Sequence, residues 1–231
     1  MQVFNFDDPQ AQALALASRV SELLRNLIAR QGRACLAVSG GRSPLPLFTA
    51  LRHQKLDWSK VTITLVDERA VPAAHPDCNA RLVAGHLLQD QAAQACLLPL
   101  VPHISPMASD TDLHAALAQA NRQRVQADIV VLGMGDDGHT ASLFPDAPEL
   151  PQATSLDQPP SYVVTSPRVA PHRRITLNLT ALLRSQFLLL AIAGNSKQQA
   201  FARAAQTRTA ALPVSFLIHQ NEVPFDVYRC N

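Results

Sequence analysis

The chain has 231 residues, of which 47% are hydrophobic and 16% charged, and its formal net charge at pH 7 is +2. This composition excludes an intrinsically disordered chain, a fibrous repeat and a coiled coil. No dense block of Lys and Arg is present, so neither a nucleic-acid partner nor an anionic membrane surface has electrostatic support. The most apolar run, Phe187–Ala193, is far shorter than the about 20 residues that a membrane span needs. The N-terminal residues lack the basic and apolar regions of a secretory signal, so a cytoplasmic protein is expected.

Helix and strand signals alternate along the chain, beginning with a helix. Asp8 followed by Pro9 is an N-cap and first-turn pair, and apolar residues at helical spacing then predict a helix that ends near Gly32. Further helices are predicted at 44–51, 77–88, 111–126 and 195–205, and strands at 35–38, 61–66, 128–132, 162–165, 175–179, 187–193 and 214–218. Residues 98–106 are predicted as a loop, and the proline-rich residues 145–160 as a surface excursion.

This alternation predicts both the fold class and the place where ligands bind. We expect one α/β domain over residues 1–231, with a doubly wound, mainly parallel sheet and helices on both of its faces. In such sheets, ligands bind beyond the carboxyl ends of the strands. The candidate site segments are therefore those that directly follow a predicted strand, namely 39–43, 67–69, 133–142 and 194–197.

The first of these segments joins a predicted strand to a predicted helix through two glycines. Its free N–H groups and the helix start would suit a small anion such as a phosphate, although an ordinary strand-to-helix turn explains the pattern equally well. A Walker nucleotide-binding loop is disfavoured because no Gly-Lys-Ser/Thr follows. The candidate phosphate-binding residues here are Ser39, Gly40, Gly41, Arg42 and Ser43.

A second glycine pattern follows the strand predicted at 128–132. Gly133, Gly135 and Gly138 formally match the GxGxxG fingerprint of dinucleotide-binding proteins. However, Asp136 and Asp137 would lie where the pyrophosphate should bind, and prolines interrupt the long helix that should follow. Nicotinamide binding is therefore disfavoured.

His139 stands at the end of this glycine segment and is the candidate general base. An unperturbed imidazole titrates near neutral pH, which suits proton transfer under physiological conditions. Asp137 lies two residues before it and is placed to orient the ring. The alternative interpretation is a purely structural histidine. The position at a strand end, beside glycines, favours the catalytic one.

No metal site is expected from the spacing of the potential ligands. His75 and Asp77 form one candidate group and the segment 136–139 another, but neither has a second histidine at ligand spacing. The four cysteines include no CxxC pair, so they are expected to be free thiols rather than zinc ligands or disulfides.

Five further charged residues, in three places along the chain, have both a functional and a structural interpretation. Asp67, Glu68 and Arg69 follow an apolar strand, and by themselves they are more typical of a solvated cluster than of catalysis. Lys197 lies in the first turn of a predicted helix and Arg174 at the start of a predicted strand. Each would supply positive charge to a bound anion, or would simply be solvated.

Five segments of the chain resemble motifs of a known family and occur in the same order as they do in that family. LAVSGGRSPLPLF, VDERAVPAAHPDCN, IVVLGMGDDGHTASLFP, RITLNL and AGNSK together resemble the 6-phosphogluconolactonase family of the pentose phosphate pathway. The resemblance implies a cytoplasmic hydrolase with a Rossmann-like sheet. Its expected reaction is the opening of 6-phospho-D-glucono-1,5-lactone to 6-phospho-D-gluconate, without a metal or an organic cofactor.

The resemblance also implies roles for individual residues. His139 would be the base that activates water, and Asp67 and Arg69 would lie beside the lactone. On physical grounds, Asp137 or a neighbouring backbone group would hold the tautomer of the imidazole. The residues expected around the phosphate are Ser39, Gly40, Gly41, Arg42, Ser43, Arg174 and Lys197. The chain departs from the usual family pattern at Cys78, where a serine is typical, and at 225–226, where a tryptophan usually lies near the last aspartate.

Two alternative functions remain open beside the lactonase, and so does the oligomeric state. The related amino-sugar-phosphate isomerases and deaminases share the DE and DGH elements, but they characteristically place a glutamate five residues past the histidine. Here that position is Phe144, which cannot relay a proton. A non-catalytic phosphosugar-binding module would keep only the phosphate-binding residues.

Overall fold

The computed structural model describes residues 1–101 and 109–230. Its strands, in chain order, are β1 (Gln2–Phe6), β2 (Ala34–Val38), β3 (Val61–Leu65), β4 (Asp67–Arg69), β5 (Cys96–Leu98), β6 (Ile129–Leu132), β7 (Tyr162–Thr165), β8 (Arg174–Leu177), β9 (Phe187–Ala193) and β10 (Phe225–Cys230). Its α-helices are α1 (Pro9–Gln31), α2 (Leu45–Leu51), α3 (Asn79–His86), α4 (Asp110–Gln123), α5 (Leu150–Ala153), α6 (Leu179–Leu183), α7 (Asn195–Ala204) and α8 (Ser215–Ile218). Among the described residues, no helix is long and apolar enough to cross a membrane.

A seven-stranded parallel sheet with helices around it forms the centre of the molecule. The strand order is β1-β10-β9-β6-β2-β3-β5, and every neighbouring pair is parallel. All residues of β2 and β6 are buried, which explains their continuous apolar sequences, since parallel strands covered on both faces need no polar side. The predicted α/β class and mainly parallel sheet are confirmed.

The first helix shows how local sequence signals set its ends. The Asp8 side chain accepts a hydrogen bond from the N–H of Ala11 at 2.8 Å, and Pro9 opens the helix. Gly32 ends it with a φ of 78°, a conformation that glycine adopts without steric cost. Apolar side chains of α1 join the core against the central sheet.

The strand order places a topological switch point between β2 and β6. The chain passes from β2 to β3 on one side and later returns to β6 on the other, so the connections diverge at this pair. The carboxyl ends of such a pair border a crevice that commonly binds ligands. Ser39 follows β2 and Gly133 follows β6, and the Ser39 N–H donates to the Val131 carbonyl at 3.1 Å.

A second, three-stranded antiparallel sheet corrects the sequence prediction. The strands β4, β8 and β7 form it in that order, although 162–165 and 175–179 were expected to join the parallel sheet. The chain leaves the large sheet at Val66. The Val66 N–H donates to the carbonyl of Val38 in β2, whereas the Val66 carbonyl accepts from the N–H of Leu177 in β8 of the small sheet. Alternation of helix and strand signals does not reveal this change, because antiparallel strands give the same local pattern.

Other differences concern short elements. Residues 214–218 were predicted as a strand but contain the helix α8, in which the His219 N–H donates to the Ser215 carbonyl at 3.0 Å. The prediction was wrong because hydrophobic periodicity cannot separate a strand from a helix over so few apolar residues. The last described strand is β10, which was not predicted. The strand β1 was not predicted either, because four of its five residues are exposed and it has no buried apolar face to give a strand pattern. The strand β5 (Cys96–Leu98) shares only its last residue with the loop predicted at 98–106. Residues 99–101 follow it as a loop, and residues 102–106 of the predicted loop lie outside the described residues. In the proline-rich segment 145–160, α5 buries two of its residues in the core. The assignment of residues 1–231 to one domain stays a prediction.

Candidate active site

A cavity of about 500 Å³ lies at the carboxyl ends of the central strands, at the β2–β6 switch point. Residues from all four candidate segments line it. Of the predicted site residues, the cavity wall includes Ser39, Gly40, Arg42, Ser43, Asp67, Arg69, His139, Arg174 and Lys197. Gly41 and Asp137 do not line it, although both neighbour residues that do. The tertiary structure therefore brings the predicted residues to one place.

The loop after β6 holds His139 through its glycines. The Gly135 N–H donates to the His139 carbonyl at 2.9 Å, and an added Cβ at Gly135 would lie 2.2 Å from the His139 ring. Gly138 has a φ of 76° and packs against Leu212, where a Cβ would come within 2.7 Å of the leucine side chain. Packing against His139 therefore accounts for Gly135, and a left-handed turn against Leu212 accounts for Gly138, neither of which needs a bound dinucleotide.

His139 is oriented by two neighbours. Its Nδ1 lies 2.6 Å from Oδ1 of Asp137, and this oxygen also accepts the His139 backbone N–H at 3.1 Å. Burial raises the pKa of Asp137, but the hydrogen bonds and charge of His139 outweigh burial and leave the pKa below its usual value. Phe144 stacks on the imidazole with ring centroids 4.1 Å apart. Among the residues that the structure describes, none hydrogen-bonds Nε2, so this nitrogen can take a proton.

Two arginines face the same cavity from the small sheet. Arg69 of β4 pairs in register with Arg174 of β8. Arg174 is only 5% exposed, and in the described part of the chain its Nε and Nη1 have no hydrogen-bond partner. Burial lowers the pKa of this guanidinium. It lies over the Phe144 ring, with its Cζ 5.8 Å from the centroid. A buried cation with unused donors beside a cavity is suited to an anionic ligand.

Asp67 is held in the cavity wall by residues that the sequence did not single out as partners. Its carboxylate accepts the hydroxyl hydrogen bond of Ser142, and its carbonyl accepts from Asn79 Nδ2 at 2.9 Å. The Asn79 side chain fills the space that a Cβ at Gly40 would need, since that Cβ would lie 1.9 Å from Oδ1. Gly40 is therefore required for close approach. Asn79 was not among the site residues predicted from the sequence, and its one signal there is its place at the start of the helix that follows Asp67.

Glu68 has a structural position. It is 1% exposed and accepts backbone N–H bonds from Asn79 and Ala80, at the start of α3, each at 2.8 Å. Burial raises the pKa of this carboxyl, although these backbone donors act in the opposite direction. Cys78, at the position where the family usually has serine, is the N-cap of α3: its Sγ accepts from the Arg81 N–H and donates to Glu68, both at 3.5 Å. The thiol thus takes the capping role of a hydroxyl.

The predicted phosphate-binding turn forms another wall of the cavity. Gly41 has a φ of 84°, which the sharp turn between β2 and α2 requires. Lys197, at the start of α7, reaches across so that its Nζ lies 3.5 Å from Ser43 Oγ. Gly194, just before α7, has a φ of 94°. The turn and the lysine therefore form a second cationic group, separate in sequence from the two arginines.

Comparisons with known proteins agree with this arrangement. Residues 7–225 match the family described as glucosamine-6-phosphate isomerases/6-phosphogluconolactonase. A 6-phosphogluconolactonase of Neisseria meningitidis is 38% identical over 225 residues, covering 96% of each chain, and one of Rhizobium meliloti is 39% identical over 226 residues, with the same coverage. The crystal structure of a 6-phosphogluconolactonase from Shewanella baltica OS155 superposes with a TM-score of 0.91 at 36% identity, covering 100% of this chain and 98% of its own.

The fold is shared more widely than the sequence. A monomeric glucosamine-6-phosphate deaminase superposes with a TM-score of 0.74 at 19% identity, covering 98% of this chain and 97% of that one. The fold alone therefore does not separate the two activities, and the side chains of the site must do so. The family match and the full-length relatives together place the chain in the glucosamine-6-phosphate isomerase/6-phosphogluconolactonase family.

Proposed function

We propose that this chain hydrolyses 6-phospho-D-glucono-1,5-lactone to 6-phospho-D-gluconate. The observation that carries the proposal is the oriented His139, whose Nδ1 is engaged by Asp137 within a cavity that two cationic groups border. The full-length relatives named 6-phosphogluconolactonase support it. A phosphosugar lactone is thus the proposed ligand, and no cofactor is invoked.

His139 is proposed to take a proton through Nε2 from a water molecule that attacks the lactone carbonyl. The bond between Nδ1 and Asp137 holds the ring and stabilises the imidazolium that forms, and the Phe144 ring restricts its rotation. The attack creates an oxyanion on the former carbonyl oxygen. We propose that Arg69, or free backbone N–H groups of the surrounding loops, stabilises this charge.

The remaining residues are proposed to bind the substrate rather than to react. Asp67, fixed by the Ser142 hydroxyl, would lie beside the lactone ring. Lys197, Arg174 and the turn at 39–43 would bind the phosphate, so that binding energy remote from the reacting carbonyl orients the ring. The turn residues concerned are Ser39, Gly40, Gly41, Arg42 and Ser43.

Phe144 favours the lactonase over the amino-sugar isomerase or deaminase. The proton relay of those enzymes is expected to use a glutamate at this position, but here an apolar ring stacks on His139. A benzene ring neither accepts nor donates the proton that aldose–ketose isomerisation requires. Water attack on a lactone needs only one base and a site for the oxyanion.

One experiment compares the three functions directly. Freshly made 6-phosphogluconolactone and glucosamine 6-phosphate are each added to the same concentration of enzyme, and acid release and ammonia release are followed against the spontaneous background. We expect clear acceleration of lactone opening and no ammonia. Ammonia at a comparable rate would favour a deaminase. Substrate binding without either reaction, in a folded sample, would favour a non-catalytic module.

A further inference from the structure

A cluster of side chains outside the proposed machinery unites residues that are far apart in sequence. His75 and Asp77 lie on the loop between β4 and α3, and His172 lies just before β8. The His172 Nε2 lies 3.0 Å from Asp77 Oδ2, and the His75 Nδ1 lies 3.8 Å from the same oxygen. One ligand atom from each residue lies within 4.8 Å of the others. The fold thus brings a second histidine, His172, to His75 and Asp77, although no second histidine lies at ligand spacing from them in the sequence.

We propose that His75, Asp77 and His172 form a binding site for one divalent ion of the zinc class. Imidazole nitrogen and carboxylate oxygen are common zinc ligands, with bond lengths of about 2.0–2.2 Å. Tetrahedral geometry at these lengths separates ligand atoms by about 3.4 Å, a value between the two distances to Asp77 Oδ2. Three protein ligands would leave a fourth position for water, as in open zinc sites.

The backbone at His172 supports a specialised position. Its φ is 69°, a left-handed conformation that is uncommon outside glycine, although asparagine, aspartate and histidine adopt it more often than other residues. Such a conformation persists only where surrounding contacts hold it, and it commonly marks functional positions. Here it accompanies the approach of the imidazole to Asp77. A left-handed backbone alone would not indicate a ligand. Here it occurs at the residue whose imidazole nitrogen is the third potential metal ligand, beside His75 and Asp77.

The surroundings predict an exchangeable ion rather than a tightly held one. All three side chains are partly exposed, with 36%, 50% and 28% of the His75, Asp77 and His172 side chains accessible to solvent. The Asp77 N–H donates to His75 Nδ1 at 3.1 Å, a hydrogen bond that the ion would displace. Arg69 donates to the Asp77 carbonyl at 2.8 Å and keeps positive charge nearby. A dissociation constant in the micromolar range is therefore expected.

An ion at this site would connect two loops that border the catalytic cavity. Arg69 lines the cavity and donates to the carbonyl of Asp77, in the loop between β4 and α3. Ala170 also lines the cavity and lies two residues before His172, in the loop that precedes β8. Binding to the folded state alone raises its stability by mass action. The ion is given no role in the proposed hydrolysis, so the site and the proposed function are tested separately.

The test uses full-length protein freed of metal by a chelator and titrated with Zn²⁺ in a calorimeter. We expect one ion per chain, and an affinity at least tenfold lower for His172→Asn and for His75→Gln. Asparagine tolerates the left-handed backbone, so His172→Asn removes the imidazole with little added strain. Two matched controls should bind as the wild type does: His114→Asn, on an exposed position of α4, and His139→Asn, which removes the histidine of the catalytic cavity.

A second measurement identifies the ligands independently of activity. Co²⁺ should give a visible spectrum without a thiolate charge-transfer band, which excludes the exposed Cys96 as a ligand. Zn²⁺ should raise the melting temperature of the wild type but not that of either loop variant. Absence of binding at millimolar Zn²⁺, wild-type affinity in both loop variants, or loss of binding in His139→Asn would each overturn the proposal. If His172→Asn does not fold, His75→Gln decides the outcome.

Discussion

Arg69 and Arg174 stand directly opposite each other on the antiparallel strands β4 and β8, and both line the cavity. Like charges at opposed positions of a sheet are destabilising, and burial of Arg174 adds the loss of hydration. An anionic ligand would offset both effects. The pair is therefore better explained by ligand binding than by stability of the empty protein.

The first prediction concerns the phosphate. Arg174→Met and Lys197→Ala should each raise KM for the phosphorylated lactone by about 10- to 100-fold, corresponding to loss of a charged hydrogen bond of about 1.5–3 kcal/mol. Unphosphorylated gluconolactone should be affected little, because the lost contacts are remote from the carbonyl. The exposed Arg122→Met is the matched control for removal of an arginine. Equal losses on both lactones would instead assign these residues to the chemistry or to the fold.

The second prediction concerns the general base. His139→Ala should lower kcat by about 10²- to 10⁴-fold, the usual contribution of general-base assistance, and keep the circular dichroism spectrum of the wild type. Asp137→Ala should have a smaller effect in the same direction, since it removes the partner of Nδ1 but not the base. Full activity in His139→Ala would return this residue to a structural role.

The third prediction uses the packing of the glycine loop. Gly135→Ala should reduce kcat at least tenfold, because the new Cβ would lie 2.2 Å from the His139 ring and must displace it. Gly85→Ala, in α3, has nothing within 4 Å of the added Cβ and should keep wild-type activity. The comparison of kcat in the two variants checks the effect. Equal activity would show that the loop accommodates a methyl group without moving the base.

The fourth prediction concerns the stability provided by Glu68. Glu68→Gln should lower the free energy of unfolding by about 1–3 kcal/mol. The amide N–H₂ of glutamine would face backbone N–H groups that now donate to the Glu68 carboxylate, so a donor would meet donors. Denaturant unfolding measures this loss. Activity should follow the folded fraction, since Glu68 does not line the cavity.

The direction of the pH effect at Glu68 follows from its burial, which raises its pKa above the ordinary value of 4.5. The folded chain then holds this proton at higher pH than the unfolded chain does. The contribution of Glu68 to the free energy of unfolding therefore falls as pH rises from 4.5 through the folded pKa. Unfolding curves across this range should show that slope in the wild type and lack it in Glu68→Gln. A common slope in both proteins would contradict the assignment.

The sequence by itself determined the features that depend on neighbouring residues. The N-cap at Asp8, the left-handed Gly32 and the helical spacing between them predict α1, and the glycine turn at 39–43 predicts the passage from β2 to α2. The α/β class follows from the order of such elements. The rule that ligands bind after the strands then identified the segments that line the cavity, and the order of motifs identified the family.

Only the tertiary structure decided which distant residues meet. It placed Arg174 opposite Arg69 in a separate antiparallel sheet, fitted Asn79 against Gly40, and brought His172 to Asp77. None of these contacts leaves a periodic or spacing signal in the chain. Local patterns report backbone conformation and burial, whereas strand partners and side-chain neighbours depend on how all elements pack at once.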